Sequence, residues 1–453
     1  MSAAHAVSLG VAGTCVLGAA LFVLRPELWA RLWWTRVDPR PAALMRIGFG
    51  LVVLWTFVGY AGAARTLWSD EGMWLPDMAR AEFGGTLSHL WDPDHGFAHW
   101  WSAPLLLYGK FTILHYWSPP WLVFLLYGLA LASVALMTLG AWTRWTTTLA
   151  WIFVLQLYRY QPMYLTGGDR VIQDFLFLGM LTRWGEAYSL DAWRRPAPSR
   201  ERGIPAWPLR LMMAQLALIY CATGLFKSGP AWAHGEALYY ALNLDHFYRV
   251  PATALVARLQ HAGLLPLGTH LVRWWEVLFP LLLVGAVLRA YEADRQAGRW
   301  PVAPAWRRRA SWAVAGGAWL LAAGVAGIVA AHHGLAGFGR PRVVAAVVAM
   351  AVAVASAAAI AGYALIRRYP GPRRLLLHWV LGKRCWLTFG VLLHVGIDAG
   401  VNVGTFANVM IPLYFGWLSG PELDAVRRAI GRPVVTGAPP PELAVDTAER
   451  GSG

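Results

Sequence analysis

A lysine at the end of a long apolar run is the residue best placed for chemistry. Lys227 closes the run 207–226, within the segment from Tyr220 to Gly229. An ammonium group beside hydrocarbon is costly, so such a lysine extends toward water, pairs with an acid or gives up its proton. A deprotonated lysine is a general base, whereas one that only extends to the interface has no chemical role. Position alone favours the second interpretation.

Two acidic residues could act together with this lysine. Glu276 lies near the start of a later apolar run, where it could pair with Lys227 across a helix bundle. Asp169 and Arg170 follow two glycines, which would let the backbone approach a ligand closely. The alternative for this second segment, equally supported, is a turn between two short spans that holds a structural ion pair.

A histidine and an aspartate also occur inside the last apolar run. His394 and Asp398 are four residues apart, which places them on one helix face if the run is helical. Such a pair could relay protons or bind a ligand, although a packing cluster is the more usual explanation. Histidines and aspartates also concentrate between residues 89 and 99, but their spacing matches no known metal site. We therefore predict no metal.

The composition shows what must position these residues. The 453 residues are 57 % hydrophobic and only 14 % charged, and the mean hydropathy is +0.45. A soluble domain carries about 25 % charged residues. Long apolar runs separated by charged loops therefore predict an all-α, polytopic transmembrane helix bundle of about nine to eleven spans. The candidate spans are 5–24, 42–62, 121–141, 146–160, 170–184, 207–227, 271–289, 312–331, 343–366 and 385–418.

The distribution of arginine predicts the orientation. Arginine-rich loops follow the first, fifth, seventh and ninth runs, so these loops are expected on the cytoplasmic side. The first run has no basic residue before it, unlike a secretory signal, so it is predicted to remain as a span with its N-terminus outside. This topology places Lys227 at the outer face. The net charge of +15 is then explained by these loops and by anionic lipid, and no nucleic-acid partner is expected.

The remaining segments define the predicted domain boundaries. Residues 1–35 would form an N-terminal span and basic loop, 36–418 the main transmembrane domain, and 419–453 a proline-containing disordered tail. The two long outer segments, 63–120 and 228–270, mix aromatic and charged residues and predict interfacial helices. Three widely separated cysteines predict no disulfide. Phosphate-binding, dinucleotide-binding and common hydrolase motifs are absent from the sequence.

Several segments, taken in order, resemble the horizontally transferred transmembrane (HTTM) family, which includes the vitamin K-dependent gamma-glutamyl carboxylase. The similar segments are Asp38 to Gly50, Gly167 to Arg170 with Ser189 to Ala192, Tyr220 to Gly235, and Gly390 to Phe406. The third contains a G-x-x-K sequence ending at Lys227, followed by W-x-x-G from Trp232. Taken together, the positions of these residues and the resemblance predict a set of binding and candidate catalytic residues. The predicted binding residues are Trp232, His234, Glu236, Glu276, His394 and Asp398, and the candidate catalytic residues are Lys227, Asp169 and Arg170.

The resemblance implies a membrane enzyme at the outer face that uses a lysine base on a quinol-like or peptide substrate, in a bacterial inner membrane. In the carboxylase, the matching lysine is regarded as the base that deprotonates vitamin K hydroquinone. Two departures favour the alternative of a non-enzymatic factor for export or maturation of a secreted peptide. The carboxylase has an Asn-Asn-His-Ser segment where this chain has Gly167 to Asp169, and its large C-terminal lumenal region is missing here. Some bacterial relatives are thought to act on exported peptides.

Overall fold

The chain folds almost entirely into helices. The computed structural model describes residues 3–83, 112–195, 203–298, 300, 302–334 and 340–431. The main helices are α1 Ala3–Leu24, α2 Pro39–Gly59, α3 Pro120–Leu139, α4 Thr143–Tyr160, α5 Gly167–Leu181, α6 Ala206–Phe226, α7 Leu264–Leu278, α8 Leu281–Gln296, α9 Ala305–Val329, α10 Pro341–Ile366, α11 Lys383–Gly400 and α12 Phe406–Leu413. The predicted all-α bundle is confirmed.

Short helical segments connect the long helices, and several of them lie in the described parts of the segments 63–120 and 228–270. These short segments are Pro26–Trp29, Ala30–Trp34, Ala61–Ala63, Ala64–Trp68, Pro76–Phe83, Ile113–His115, Pro162–Tyr164, Leu190–Trp193, Pro230–Ala233, Ala237–Asn243, Thr253–His261, Ala330–Gly334, Pro370–Leu375, Leu376–Val380, Tyr414–Trp417 and Gly420–Ala429. Two short strands, β1 Arg36–Val37 and β2 Ile204–Pro205, pair antiparallel.

The bundle has the dimensions of a membrane protein. Within the described residues, seven helices are long and apolar enough to cross a bilayer: His5–Leu24, Pro39–Gly59, Pro120–Leu139, Ala206–Phe226, Ala305–His332, Pro341–Ile366 and Pro370–Gly400. The pair α7 and α8, bent by 46°, brings the number to eight if it forms one broken span. The predicted fourth and fifth spans are present as the shorter helices α4 and α5.

Three helices form a layer at the edge of the bundle. α1 packs against α9, where a side chain at Gly13 would lie 3.0 Å from Leu321. α9 in turn packs against α10. None of the residues in the most apolar stretches of α1 and α10 is buried inside the protein. Since both helices are strongly apolar, their exposed surfaces are suited to lipid.

The central helices are joined by a buried arginine. Arg46 of α2 is fully buried and donates hydrogen bonds to the carbonyl oxygens of Trp184, at 3.1 Å, and Tyr188, at 2.5 Å. These carbonyls belong to the connection after α5. The guanidinium therefore supplies donors to backbone groups that would otherwise be buried without partners. Arg46, one of the two basic residues in the first family-like segment, thus has a structural role.

The family-like segment Ser189 to Ala192 closes the turn between α3 and α4. Asp191 accepts hydrogen bonds from the amides of Trp142, at 2.8 Å, and Thr143, at 2.7 Å. Partial burial opposes ionisation of Asp191, but the hydrogen bonds from Thr143 and Trp142 outweigh it and lower the pKa of this carboxyl. Gly140 ends α3 in the left-handed region, with a φ of 75°, which permits this tight turn.

The predicted disordered tail, residues 419–453, includes residues that are helical in the structure. Gly420–Ala429 forms a helix that starts with a capping box, in which Ser419 and Glu422 bond each other's backbone. Glu422 pairs with Lys383 at 2.5 Å, and Asp424 pairs with Arg40 at the start of α2 at 2.5 Å. Proline and mixed charge suggested disorder, but these charges are the ones that bind the helix to the bundle.

The last apolar run is two helices. The sequence leaves open whether the run 385–418 is one kinked helix or two, and the structure has two, because α11 ends at Gly400 and α12 begins at Phe406. The chain between α11 and α12 bonds to the segment 228–270. The amide of Asn402 donates to the carbonyl of Phe247, and Tyr248 pairs with Val401 in an isolated antiparallel bridge.

Candidate functional site

A glycine brings two helices together at the candidate site. A side chain at Gly224 of α6 would lie 2.7 Å from the amide nitrogen of Val277 and 2.9 Å from the Cβ atom of Glu276. Only a residue without a Cβ atom permits this separation between α6 and α7. The close approach places the end of α6, and therefore Lys227, directly beside Glu276.

Lys227 and Glu276 form an ion pair at the end of α6. The Nζ atom of Lys227 donates to Oε2 of Glu276, so the pairing considered from sequence is present. Thr223 donates to the same oxygen at 3.5 Å. The Lys227 side chain is 24 % exposed but that of Glu276 only 6 %, so the pair connects the protein surface to its interior. The Trp232 ring lies 5.5 Å from Nζ and covers the ammonium.

A chain of hydrogen-bonding groups lies deeper than this pair. The hydroxyl of Tyr220 is 2.5 Å from Nε2 of His394 and also bonds the hydroxyl of Tyr414. Tyr220 and His394 are almost completely buried. Thr223 links these groups to the pair, because its hydroxyl donates to the carbonyl of Tyr220 at 3.0 Å as well as to Glu276. Lys227, Glu276, Tyr220, His394 and Tyr414 are defined here as the Lys227 cluster.

The packing around the Lys227 cluster is aromatic and tight. Trp275 packs edge-on against Tyr220, with ring centroids 4.9 Å apart. A side chain at Gly390 of α11 would clash with the Tyr414 hydroxyl and lie 3.0 Å from Trp275. Within the described residues, Nδ1 of His394 is buried and has no hydrogen-bond partner. A buried polar atom without a partner can bond a further group, so His394 is able to form one more hydrogen bond.

Asp169 lies in a different cluster. Its carboxylate accepts hydrogen bonds from the Tyr158 hydroxyl at 2.8 Å and from the amide and hydroxyl of Thr166, at 2.7 and 2.8 Å, in a capping box at the start of α5. Burial and the nearby Asp169 carboxylate raise the pKa of the Tyr60 phenol. Arg170 is exposed, and among the described residues it forms no ion pair with Asp169. The structural ion pair suggested between these two residues is therefore absent.

Between Asp169 and the Lys227 cluster, the start of α5 lies close to the start of α12. A side chain at Gly168 would lie 2.5 Å from the amide nitrogen of Phe406. The Phe406 ring then packs against His394, with centroids 5.6 Å apart. The two glycines thus bring the start of α5 close to the protein's own backbone.

The other candidate residues are not part of the Lys227 cluster. Asp398 accepts from Arg249 at 3.0 Å and from Asn408 at 3.1 Å, so it does not share a relay with His394. His234 is exposed, and Glu236 accepts from Tyr240 at 3.4 Å. Within the described ranges, acidic, histidine and cysteine side chains form no group that could hold a metal. The histidines and aspartates between residues 89 and 99 lie outside these ranges.

The fold and this site define a polytopic membrane protein with an ion pair near the end of a span. Comparison with protein families identifies an HTTM domain over residues 97–284, which confirms the resemblance seen in the sequence. The matched region contains Lys227, Glu276 and Asp169, whereas His394 lies beyond it. No curated protein and no solved structure shows significant similarity to the chain.

Sequence reasoning did not single out two members of the Lys227 cluster. Tyr220 could have been found, since Tyr220, Thr223 and Lys227 recur at helical spacing and share one face of α6. Tyr414 gave no such signal. It follows α12 in the short turn Tyr414–Trp417 and reaches the cluster only through tertiary packing.

Proposed function

We propose that this protein is a membrane enzyme that removes a proton from a lipid-soluble, quinol-like substrate, with Lys227 as the base. The observation that carries the proposal is the hydrogen bond between the partly exposed Lys227 ammonium and the buried Glu276 carboxylate. An acid–base pair that connects surface and interior is the arrangement that proton transfer requires. The HTTM domain supports the same function by family resemblance.

The pair provides a route to the neutral amine that a base must present. In a site of low polarity, transfer of one proton from Lys227 to Glu276 converts two buried charges into two neutral groups. The free amine then accepts the proton of a substrate hydroxyl, which leaves a substrate oxyanion and restores the ammonium. Glu276 holds the first proton until the product leaves. Trp232 would cover the substrate side of the amine.

The deeper part of the cluster would position the pair. Tyr220 bonds His394 through its hydroxyl, and its carbonyl accepts from Thr223, which also donates to Glu276. We propose His394 as a positioning residue that acts through Tyr220. Asp169 has a helix-capping role and Arg170 is exposed, so neither is assigned to the reaction.

Two substitutions at one position test the base directly. Lys227→Ala and Lys227→Arg would be purified in nanodiscs, and dioxygen uptake would be measured with a naphthohydroquinone as the probe, because dissolved dioxygen oxidises a quinol oxyanion to the quinone faster than it oxidises the neutral quinol. Arginine keeps the positive charge beside Glu276 but cannot give up its proton. Both variants are expected to lose activity by about a hundredfold or more, while Lys227→Arg keeps the unfolding temperature. Full activity in either folded variant would overturn the assignment.

A non-enzymatic role in export or maturation of a secreted peptide is the second candidate. The segment that carries histidine in the carboxylase is closed here, because Gly168 has no space for a side chain. In this case Lys227→Ala would leave secretion of a peptide encoded beside this gene unchanged. Secretion that fails only when the whole protein is removed would favour this role over catalysis.

The proposed orientation places the Lys227 cluster on the outer side of a bacterial inner membrane, with the N-terminus also outside. The arginine-rich loops support it. Replacing Cys15, Cys221 and Cys385 and introducing cysteine at Ser228 would allow labelling with an impermeant maleimide. Labelling of intact cells at position 228 is expected. Labelling only after permeabilisation would reverse the topology.

A further inference from the structure

We propose that a basic cavity between α8 and the turn before α11 binds the phosphate group of an anionic lipid. The cavity has a volume of about 460 Å³ and continues into a neighbouring one of about 370 Å³. It lies apart from the Lys227 cluster and shares no residue with it. The residues of the larger cavity that carry the argument are Arg289, Arg374, His378, Lys383, Arg384 and Glu422.

The cavity exists because two segments approach closely. A side chain at Gly285 of α8 would collide with the carbonyl of Leu381, so glycine allows the turn to lie against the helix. Arg289 then donates to the carbonyls of Leu377 and Leu381, each at 2.7 Å. These bonds hold the turn in place. The walls of the cavity are therefore a fixed part of the fold.

The acidic groups near the cavity are already paired. Glu422 bonds Lys383 and also accepts from Ser419 at 2.7 Å. In the neighbouring cavity, Glu292 accepts from Tyr363 at 2.7 Å and lies 3.6 Å from Arg373. Glu422 and Glu292 therefore neutralise Lys383 and Arg373. The other basic side chains of the cavity have no acidic partner among the described residues.

Three basic side chains of the cavity are exposed and form no ion pair or hydrogen bond within the described residues. They are Arg374, His378 and Arg384. Arg289, Arg374, His378 and Arg384 all line the same cavity, so the positive groups converge on one place. Such a concentration of like charge is relieved by a bound anion. Guanidinium groups suit phosphate in particular, since their donors match its oxygens in pairs.

The apolar surroundings indicate a lipid as the source of the phosphate. Leu375, Trp379 and Val380 lie beside the basic residues, and their side chains are more than half exposed. Exposed apolar and tryptophan side chains next to arginines are typical of the membrane interface. A phosphate in the cavity would then have acyl chains along this apolar surface. Basic pockets between membrane helices bind lipid head groups in the same way.

The test measures thermal stabilisation of the full-length protein in detergent by dioctanoyl phosphatidic acid. Dioctanoyl phosphatidylcholine and inorganic phosphate serve as separate comparisons. We expect saturable stabilisation by phosphatidic acid and little by phosphatidylcholine. Stabilisation by inorganic phosphate at equal concentration would support the phosphate site but assign it to a soluble ligand. No stabilisation by either phosphate source would overturn the proposal.

Substitutions then locate the site. Arg374→Gln with Arg384→Gln is expected to weaken the apparent affinity for phosphatidic acid about thirtyfold, since each basic residue near an anionic lipid contributes about fivefold. The matched control is Arg308→Gln with Arg309→Gln, which removes two exposed charges outside both cavities. Equal weakening in both double variants would overturn the site. Arg384→Gln alone, at an exposed position, gives the same comparison with an expected fivefold loss if the double variant does not fold.

Discussion

The ion pair between Lys227 and Glu276 makes an asymmetric prediction about stability. Removing the lysine leaves a carboxylate with only 6 % of its side chain exposed, whereas removing the acid leaves a lysine that is 24 % exposed and can extend to water. A buried charge without a partner is costly, but a lysine at a helix end is not. Lys227→Met should therefore destabilise the protein more than Glu276→Gln.

The size of the effect follows from the alternatives open to Glu276. A carboxyl with an ordinary pKa near 4.3 takes up a proton at pH 7 at a cost of about 3.7 kcal/mol, which sets an upper limit for the loss of Lys227 through this mechanism. We expect about 3 kcal/mol for Lys227→Met and about 1 kcal/mol for Glu276→Gln. The double variant should lose less than the sum of the two, with a coupling energy of about 1.5 kcal/mol.

The assay is reversible unfolding in mixed detergent micelles, measured for the wild type, both single variants and the double variant. Tryptophan fluorescence reports the transition, and the four midpoints complete a double-mutant cycle. Equal losses in the two single variants, or a coupling energy below about 0.5 kcal/mol, would show that the two side chains do not form the buried pair described here.

Two further predictions concern packing and acid stability. Gly390→Ala should lower stability by about 1–3 kcal/mol, since its new methyl group would meet a tyrosine hydroxyl, whereas Gly396→Ala, with open space around it, should change stability by less than about 0.5 kcal/mol; equal unfolding temperatures would contradict the packing. The hydrogen bond from Arg40 lowers the pKa of Asp424 in the folded state. The Asp424 carboxylate therefore stabilises the folded protein fully above its unfolded-state pKa near 3.9. This stabilisation is lost as the pH falls through the lower pKa of Asp424 in the folded state. Asp424→Asn should lower the unfolding temperature at about pH 6 but not at about pH 2, and a constant difference across that range would refute the linkage.

The sequence predicted the bundle because apolar length is a strong signal. Runs such as those around Pro39–Gly59 and Pro120–Leu139 are long enough to span a bilayer as helices, and the structure contains both. The boundary between the bundle and the tail was harder to predict from the sequence. The helix Gly420–Ala429 depends on ion pairs to Arg40 and Lys383, which lie far away in the sequence. No local pattern reports such pairs.

The site was predicted in part for the same reason. Lys227 stood out as a charge beside an apolar run, and Glu276 was the nearest plausible acid, so local signals were enough to suggest the pair. Asp169 also stood out, but its partners are a capping threonine and a tyrosine rather than Arg170. His394 has the helical spacing for a relay with Asp398, yet rotation and packing direct it toward Tyr220.

The edge layer of three helices has a consequence for how the chain enters the bilayer. α1 precedes its packing partner α9, which begins at Ala305, by about 280 residues. During synthesis α1 must therefore remain in the bilayer without α9 until α9 has been made, and its high hydropathy permits this. The helices α6 and α7, which carry the ion pair, are complete before this layer can form.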